Sequence, residues 1–187
     1  MNFEVGNTCR WSNIDWRVLA VENNKALIIS EEILEKRPYN AGSENVTWET
    51  CTLRQYLNGE FYDKLGADKS AIAETHNANP NNPWFDAAGG NATADKVFLL
   101  SLDELVKHFG DSGVLRNWNK KDWIFNDQYN SARIAKYESE RAWWWLRSPG
   151  SCSEEVANVD FDGTVYVIGT LANVGKGGVR PALWLNL

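Results

Sequence analysis

The sequence predicts an α+β domain spanning residues 1–187, and three observations carry that expectation. Apolar, β-branched runs crowd both ends of the chain, two capping-box helices stand between them, and no strand–helix–strand alternation joins the elements. A chain of 187 residues can bury roughly 70% of its unfolded surface, so its core needs neither metal nor disulfide.

The elements follow in chain order. Trp16–Val21 and Lys25–Ser30 flank Asn23-Asn24, and Asn tolerates the positive φ of a tight turn, so the pair reads as a hairpin. Thr52-Leu-Arg-Gln55 is a capping box that starts a helix with Leu53, Tyr56, Leu57 and Phe61 on one face. A shorter helical piece is expected near Asp68–Thr75. Residues 76–95, broken by Pro80, Pro83 and Gly89-Gly90, read as a long loop; loops beyond about 12–15 residues are usually functional or disordered. The buried-looking run Val97–Leu100 ends that loop. Ser101-Leu-Asp-Glu104 is a second capping box, placing Leu102, Leu105, Val106 and Phe109 on one helix face. From Gly110 to Ala142 the pattern is irregular, with one helical turn expected near Ser131–Lys136. Trp143–Arg147 reads as a strand ended by the turn Ser148-Pro149-Gly150. Val156–Phe161 meets Thr164–Ile168 across Asp162-Gly163, the strongest short hairpin signal in the chain. Gly178–Leu185 closes the sheet, with Pro181 at an edge or bulge.

Composition narrows the function classes. The net charge is −6 and the longest basic runs are pairs, which argues against nucleic acid as a partner. No apolar run approaches the ~20 residues of a membrane helix. No signal peptide stands at Met1, so the expectation is either a cytoplasmic protein or a surface or secreted chain without its leader. Cys9, Cys51 and Cys152 lie far apart without a CxxC pair, compatible with one disulfide and a free thiol or with three buried thiols. His76 and His108 share no ligand spacing and are expected at the surface or as capping residues. Ten Trp are more than a core of this size readily hides, so most are expected inside and some at the surface or in a groove.

A family resemblance enters at the C-terminal motifs. Trp144-Trp-Leu-Arg-Ser-Pro-Gly150, the Asp162-Gly163 hairpin and Gly178-Val-Arg-Pro-Ala-Leu-Trp-Leu185 resemble the signature of an uncharacterised bacterial domain of unknown function. That family is frequent in Gram-positive gut bacteria. Upstream, Trp16–Leu19, Lys25–Ser30, Thr47-Trp-Glu49, Leu53–Asn58 and Asp95–Ser101 fit it in the same order. More remotely, the Leu-Arg-Ser-Pro-Gly and Gly-Val-Arg pair is similar to motifs of formylglycine-generating, sulfatase-modifying enzymes and of variable proteins diversified by retroelements. The resemblance implies a C-type-lectin-like fold: two helices on a twisted, mostly antiparallel sheet, long irregular loops, and adjacent N- and C-terminal strands. Fold likeness transfers no activity.

Catalytic constellations are weak. Formylglycine chemistry needs a cysteine pair in the C-terminal part, where only Cys152 stands. Ser148 lies in no nucleophile elbow and reads as a turn residue. Asp160 and Asp162 could form a glycosidase pair, yet carboxylates two apart at a hairpin end more often cap an Asx turn. Asp86 and Asp95 in the Asn-rich loop are oxygen ligands of the type calcium accepts, but no lectin calcium motif occurs, and no cofactor is expected. What remains is binding through the sheet. Asn158, Asp160 and Tyr166 fall on the more polar face of the hairpin, opposite Ala157, Val159 and Phe161. Trp143, Trp145 and Arg147 share a face, expected as a core Trp cluster with a buried, paired arginine. Trp84, inside the long loop, is the expected exposed aromatic contact. The leading expectation is therefore a non-enzymatic module that binds protein or carbohydrate through Trp84, Asn158, Asp160, Asp162 and Tyr166. The alternative is an oxidase or hydrolase using Cys152 or the Asp160/Asp162 pair.

Overall fold

The computed structural model of the chain describes residues 3–117 and 122–187. Its N-terminal part runs β1 (Thr8–Trp11), β2 (Ile14–Glu22), β3 (Lys25–Ser30) and β4 (Glu35–Lys36). A composite helix follows: α1 (Thr52–Tyr56), a π-helical turn (Leu57–Phe61) and α2 (Tyr62–Lys64). After a 3-10 turn (Gly66–Ala71) come β5 (Ile72–Ala73), β6 (Thr75–Asn77), β7 (Thr93–Asp95) and α3 (Leu102–Phe109). Then come β8 (Ile124–Phe125), α4 (Asn130–Arg133), β9 (Ala135–Tyr137) and β10 (Glu140–Ala142). The chain closes with β11 (Trp144–Pro149), β12 (Glu155–Val159), β13 (Val165–Leu171), β14 (Gly178–Val179) and β15 (Ala182–Asn186). The class is α+β, as expected. Among the described residues, no helix is long and apolar enough to cross a membrane.

Two sheets form the frame, in the orders β1-β2-β3-β15-β5 and β4-β14-β11-β12-β13-β8. The last strand thus lies beside β3 of the N-terminal hairpin rather than beside β1. The expected single closing strand at Gly178–Leu185 is divided: β14 belongs to one sheet and β15 to the other. Pro181 sits at that crossing, where a residue without an N–H removes no ladder bond, and its carbonyl accepts from the Ser30 N–H at 2.9 Å.

Local signals succeeded where the partners are near in sequence. Asn23 and Asn24 adopt φ of 51° and 57°, closing the β2–β3 turn. Ser101 and Glu104 form the complete capping box at α3. The first helix starts differently. Cys51, not Thr52, is the N-cap, its Sγ accepting from the Arg54 N–H at 3.3 Å. Thr52 is drawn off by Asn40, whose side chain accepts from the Thr52 N–H, while the Thr52 hydroxyl accepts from the Ala41 N–H. Three further expectations are corrected. The piece near Asp68–Thr75 is a short 3-10 turn followed by β5 and the start of β6. The strand at Trp144 runs on through Ser148 and Pro149, with an irregular register against β12. The irregular stretch up to Ala142 contains the β9–β10 hairpin, turned by Glu138 and Ser139 at positive φ.

The core is aromatic. Trp16, Trp48, Trp144 and Trp145 are fully buried, and Trp11 and Trp84 nearly so. Each of the four fully buried indole N–H groups finds an acceptor: Trp16 donates to the Trp11 carbonyl, Trp144 to the Arg133 carbonyl, Trp145 to the Arg37 carbonyl and Trp48 to the Asp95 carboxylate. Trp143 stacks edge-on against Trp145, ring centres 4.6 Å apart. The cysteines are unbridged, with Cys9 and Cys51 buried and Cys152 exposed, an arrangement that matches neither the disulfide-plus-thiol nor the three-buried-thiol alternative.

Candidate binding site

The expected site residues do not form one surface. Trp84 is only 5% exposed, and its indole N–H donates to the Leu115 carbonyl at 3.1 Å while its ring meets Phe125 edge-on. This corrects its reading as an exposed contact: the 76–95 segment is folded rather than open. Its ends pair as β6 and β7, and its middle is anchored by the buried Asn82. The Asn82 amide donates to the Pro149 and Val167 carbonyls, both at 2.9 Å, and its oxygen accepts from the Trp84 and Phe85 N–H groups.

The hairpin face is corrected in part. Asn158 is 4% exposed, lies opposite Trp145 in the register, and accepts from the Thr170 hydroxyl at 3.0 Å. Residues Val156 to Val159 of β12 are all buried, so both faces of the strand are covered and the expected alternation of solvated and buried residues is lost. Phe161, expected on the apolar face, instead stands 54% exposed beyond the strand end. Asp160 and Tyr166 are half-buried and Asp162 is exposed. Asp162 accepts from the Thr164 N–H at 2.9 Å, and that bond lowers its carboxyl below the ordinary value. This is the Asx-turn arrangement, closed by Gly163 at φ +86°, where a Cβ would meet the Asn130 carbonyl oxygen at 2.0 Å.

Of the loop carboxylates, Asp95 is already saturated. It accepts from Trp48, Asn77, Thr93 and Arg54 at 2.6–2.9 Å. Burial pushes its carboxyl up, but these donors outweigh burial and hold it below the usual range. Asp86 stands at the surface, bonded by the Asn81 amide. Among the described residues no three His, Cys, Asp or Glu side chains gather as a metal site.

A surface that sequence reasoning missed lies at the β5 side of the first sheet. Trp184 on β15 pairs with Leu27 and Ala73, yet it is only half-buried while its strand neighbours Leu183 and Leu185 are covered. Around it open two hollows of about 250 Å³ and 380 Å³ that share Thr75, His76 and Trp184. They form one groove. The hairpin end of β2–β3 supplies Glu22, Asn23 and Lys25 to one end, with Glu74 beside β6. The N-terminal turn of α3 supplies Asp103 and Glu104 to the other, above Arg147.

The floor at that second end is fixed. Both terminal nitrogens of Arg147 contact the Glu104 carboxylate, and Nη1 also donates to the Leu99 carbonyl at 2.8 Å. Burial raises the Glu104 carboxyl, but the Arg147 charge and hydrogen bonds more than reverse this and hold it low. This is the buried, paired arginine expected for the Trp143–Arg147 face. At the first end, His76 is exposed on the rim. His108 is instead half-buried and hydrogen-bonded to the Leu19 backbone; burial, followed by Lys107, lowers its pKa. Thr75 lines both hollows, and its buried hydroxyl has no hydrogen-bond partner.

Comparison with known proteins adds a family. Residues 23–187 match the model of the Domain of unknown function (DUF6273). The chain belongs to that family. No curated protein and no solved structure matches it. The DUF6273 match begins at the β2–β3 turn, so it takes in Lys25, Thr75, His76, Arg147 and Trp184 while β1, β2 and Glu22 precede it.

Proposed function

We propose that the chain is a non-enzymatic ligand-binding module, with protein or carbohydrate as ligand, and that the Trp184 groove is its site. The observation that carries this reading is Trp184 itself. An indole left half-buried on a strand whose neighbours are core, over a concave groove that also presents several polar side chains, is the usual composition of a recognition site. A C-type-lectin-like fold belongs to the same proposal. It is supported by the two main helices and by the last strand lying beside the N-terminal hairpin. The proposal extends to a bacterial surface, secreted or phage-borne setting.

A second reading rests on a different observation: Trp123 is 61% exposed and Ile124 39% exposed at the edge strand β8, with Ile124 directly opposite Tyr166. That patch keeps Tyr166 as a contact residue. The enzymatic alternative has less support, since Asp162 is engaged in its turn and neither Asp160 nor Cys152 lines the groove.

A fragment screen read by amide and indole chemical shifts separates these readings. Hits are expected to cluster on Thr75, His76 and Trp184. Clustering on Trp123, Ile124 and Tyr166 would replace the groove with the edge patch, and clustering at Cys152 or Asp160 would favour the enzyme.

A further inference from the structure

Resting on the reading of the groove as a binding site, we infer that its ligand is a neutral saccharide whose ring stacks on Trp184. A pyranose has one apolar face of C–H groups and a rim of hydroxyls, so its partner needs one aromatic plane surrounded by hydrogen-bonding groups. The groove has that division. Trp184 is the one large apolar side chain in either hollow, and the walls carry carboxylate, amide, hydroxyl, imidazole and ammonium groups. A peptide ligand would call for several apolar anchors or a free strand edge of some length, whereas β5 at this edge is only two residues long.

Charge narrows the class further. Glu22 stands at one end of the groove and Asp103 at the other, against Lys25; Glu74 is paired with Lys96 at 3.9 Å and Arg147 with Glu104. Such a rim repels uronates, sulfated sugars and sialic acids, while carboxylates accept well from the hydroxyls of a neutral sugar. The unpartnered Thr75 hydroxyl adds a second argument. A buried polar group without a partner is unfavourable, and Thr75 is one of the three residues common to both hollows. The larger hollow, at about 380 Å³, falls within the range of small-molecule sites.

The test is a titration of the full chain with a panel of neutral oligosaccharides at millimolar concentration, followed by calorimetry and by the Trp184 indole NMR signal. Acidic oligosaccharides and short basic peptides form the control arms. The expected result is saturable binding of a neutral sugar that shifts the Trp184 indole. Affinity should weaken roughly 30-fold or more in Trp184→Ala, the scale of a central aromatic contact. Because Trp184 sits on a core strand, the exposed rim variants Glu22→Gln and Glu74→Gln serve as a second set; each is expected to weaken binding several-fold in a protein that melts like the wild type. Sugar binding untouched by all of these variants would move the site and overturn the groove itself. A peptide, but no sugar, shifting the indole would overturn the saccharide class and leave the groove standing. Preference for an acidic sugar, or no saturable binding of any neutral one, would also overturn the inference.

Discussion

The two arginines of the C-terminal motifs, Arg147 and Arg180, are both buried and are treated in opposite ways. Arg147 meets a carboxylate: Glu104 takes both terminal nitrogens, and backbone carbonyls of Ala78 and Leu99 take more. Arg180 meets none. Its Nε and Nη2 donate to the Ser30 and Glu31 carbonyls, its plane lies 5.0 Å from the Trp144 ring and 5.6 Å from Phe109, and Nη1 has no partner. Burial pushes the Arg180 pKa down to about 10. The difference follows from place. Arg147 joins a helix start to a strand at the groove floor, where a carboxylate is already needed for the capping box. Arg180 fills the crossing between the two sheets, where its neighbours are carbonyls and rings.

Breaking the paired side should therefore hurt more. Glu104→Gln leaves a buried guanidinium without its counter-charge and is expected to destabilise by about 3 kcal/mol, the low end for a broken buried pair because Glu104 keeps some solvent contact. Urea unfolding measures this, and a loss below about 1 kcal/mol would mean that the pair is not cooperative. Arg180→Met should change stability by only about 1 kcal/mol in either direction. It removes a desolvated charge and an orphaned donor along with two hydrogen bonds. A loss as large as that of Glu104→Gln would show that the carbonyl and ring contacts hold Arg180 as firmly as a carboxylate would. The smallest effect sharpens the comparison by pH. Glu104 binds its proton less tightly folded than unfolded, so its stabilisation is complete above the ordinary carboxylate range and drains as pH falls below roughly 4. The melting temperature of the wild type should drop more steeply there than that of Glu104→Gln, whereas Arg180→Met should track the wild type.

The same contrast explains what was legible in the sequence. The Ser101 capping box, the Asn23-Asn24 turn and the Asp162-Gly163 turn are set by residues within three or four positions of each other, and each was readable. Thr52 lost its capping role to contacts with Asn40 and Ala41, which no local pattern displays. Trp84 looked exposed because its segment is polar; its burial depends on Leu115 and Phe125, far along the chain. Asn158 was placed on the polar face of its strand, but whether that face is covered depends on what packs over the sheet, which the strand's own sequence does not display. The groove was the least readable of all. Period-two alternation singles out Trp184 against Leu183 and Leu185, but its walls come from the β2–β3 turn, the segment around β6 and the first turn of α3.

One bond at that helix has a consequence for how the chain folds. The Ser148 hydroxyl accepts from the Leu102 N–H at 3.0 Å, so α3 borrows part of its N-terminal closure from a strand that lies 46 residues further along. The helix can nucleate on its own capping box, but its first turn is finished only when β11 docks. Leu102 should therefore exchange its amide hydrogen with solvent only through global opening, at the slow limit set by the whole fold, while the far end of the same helix frays independently.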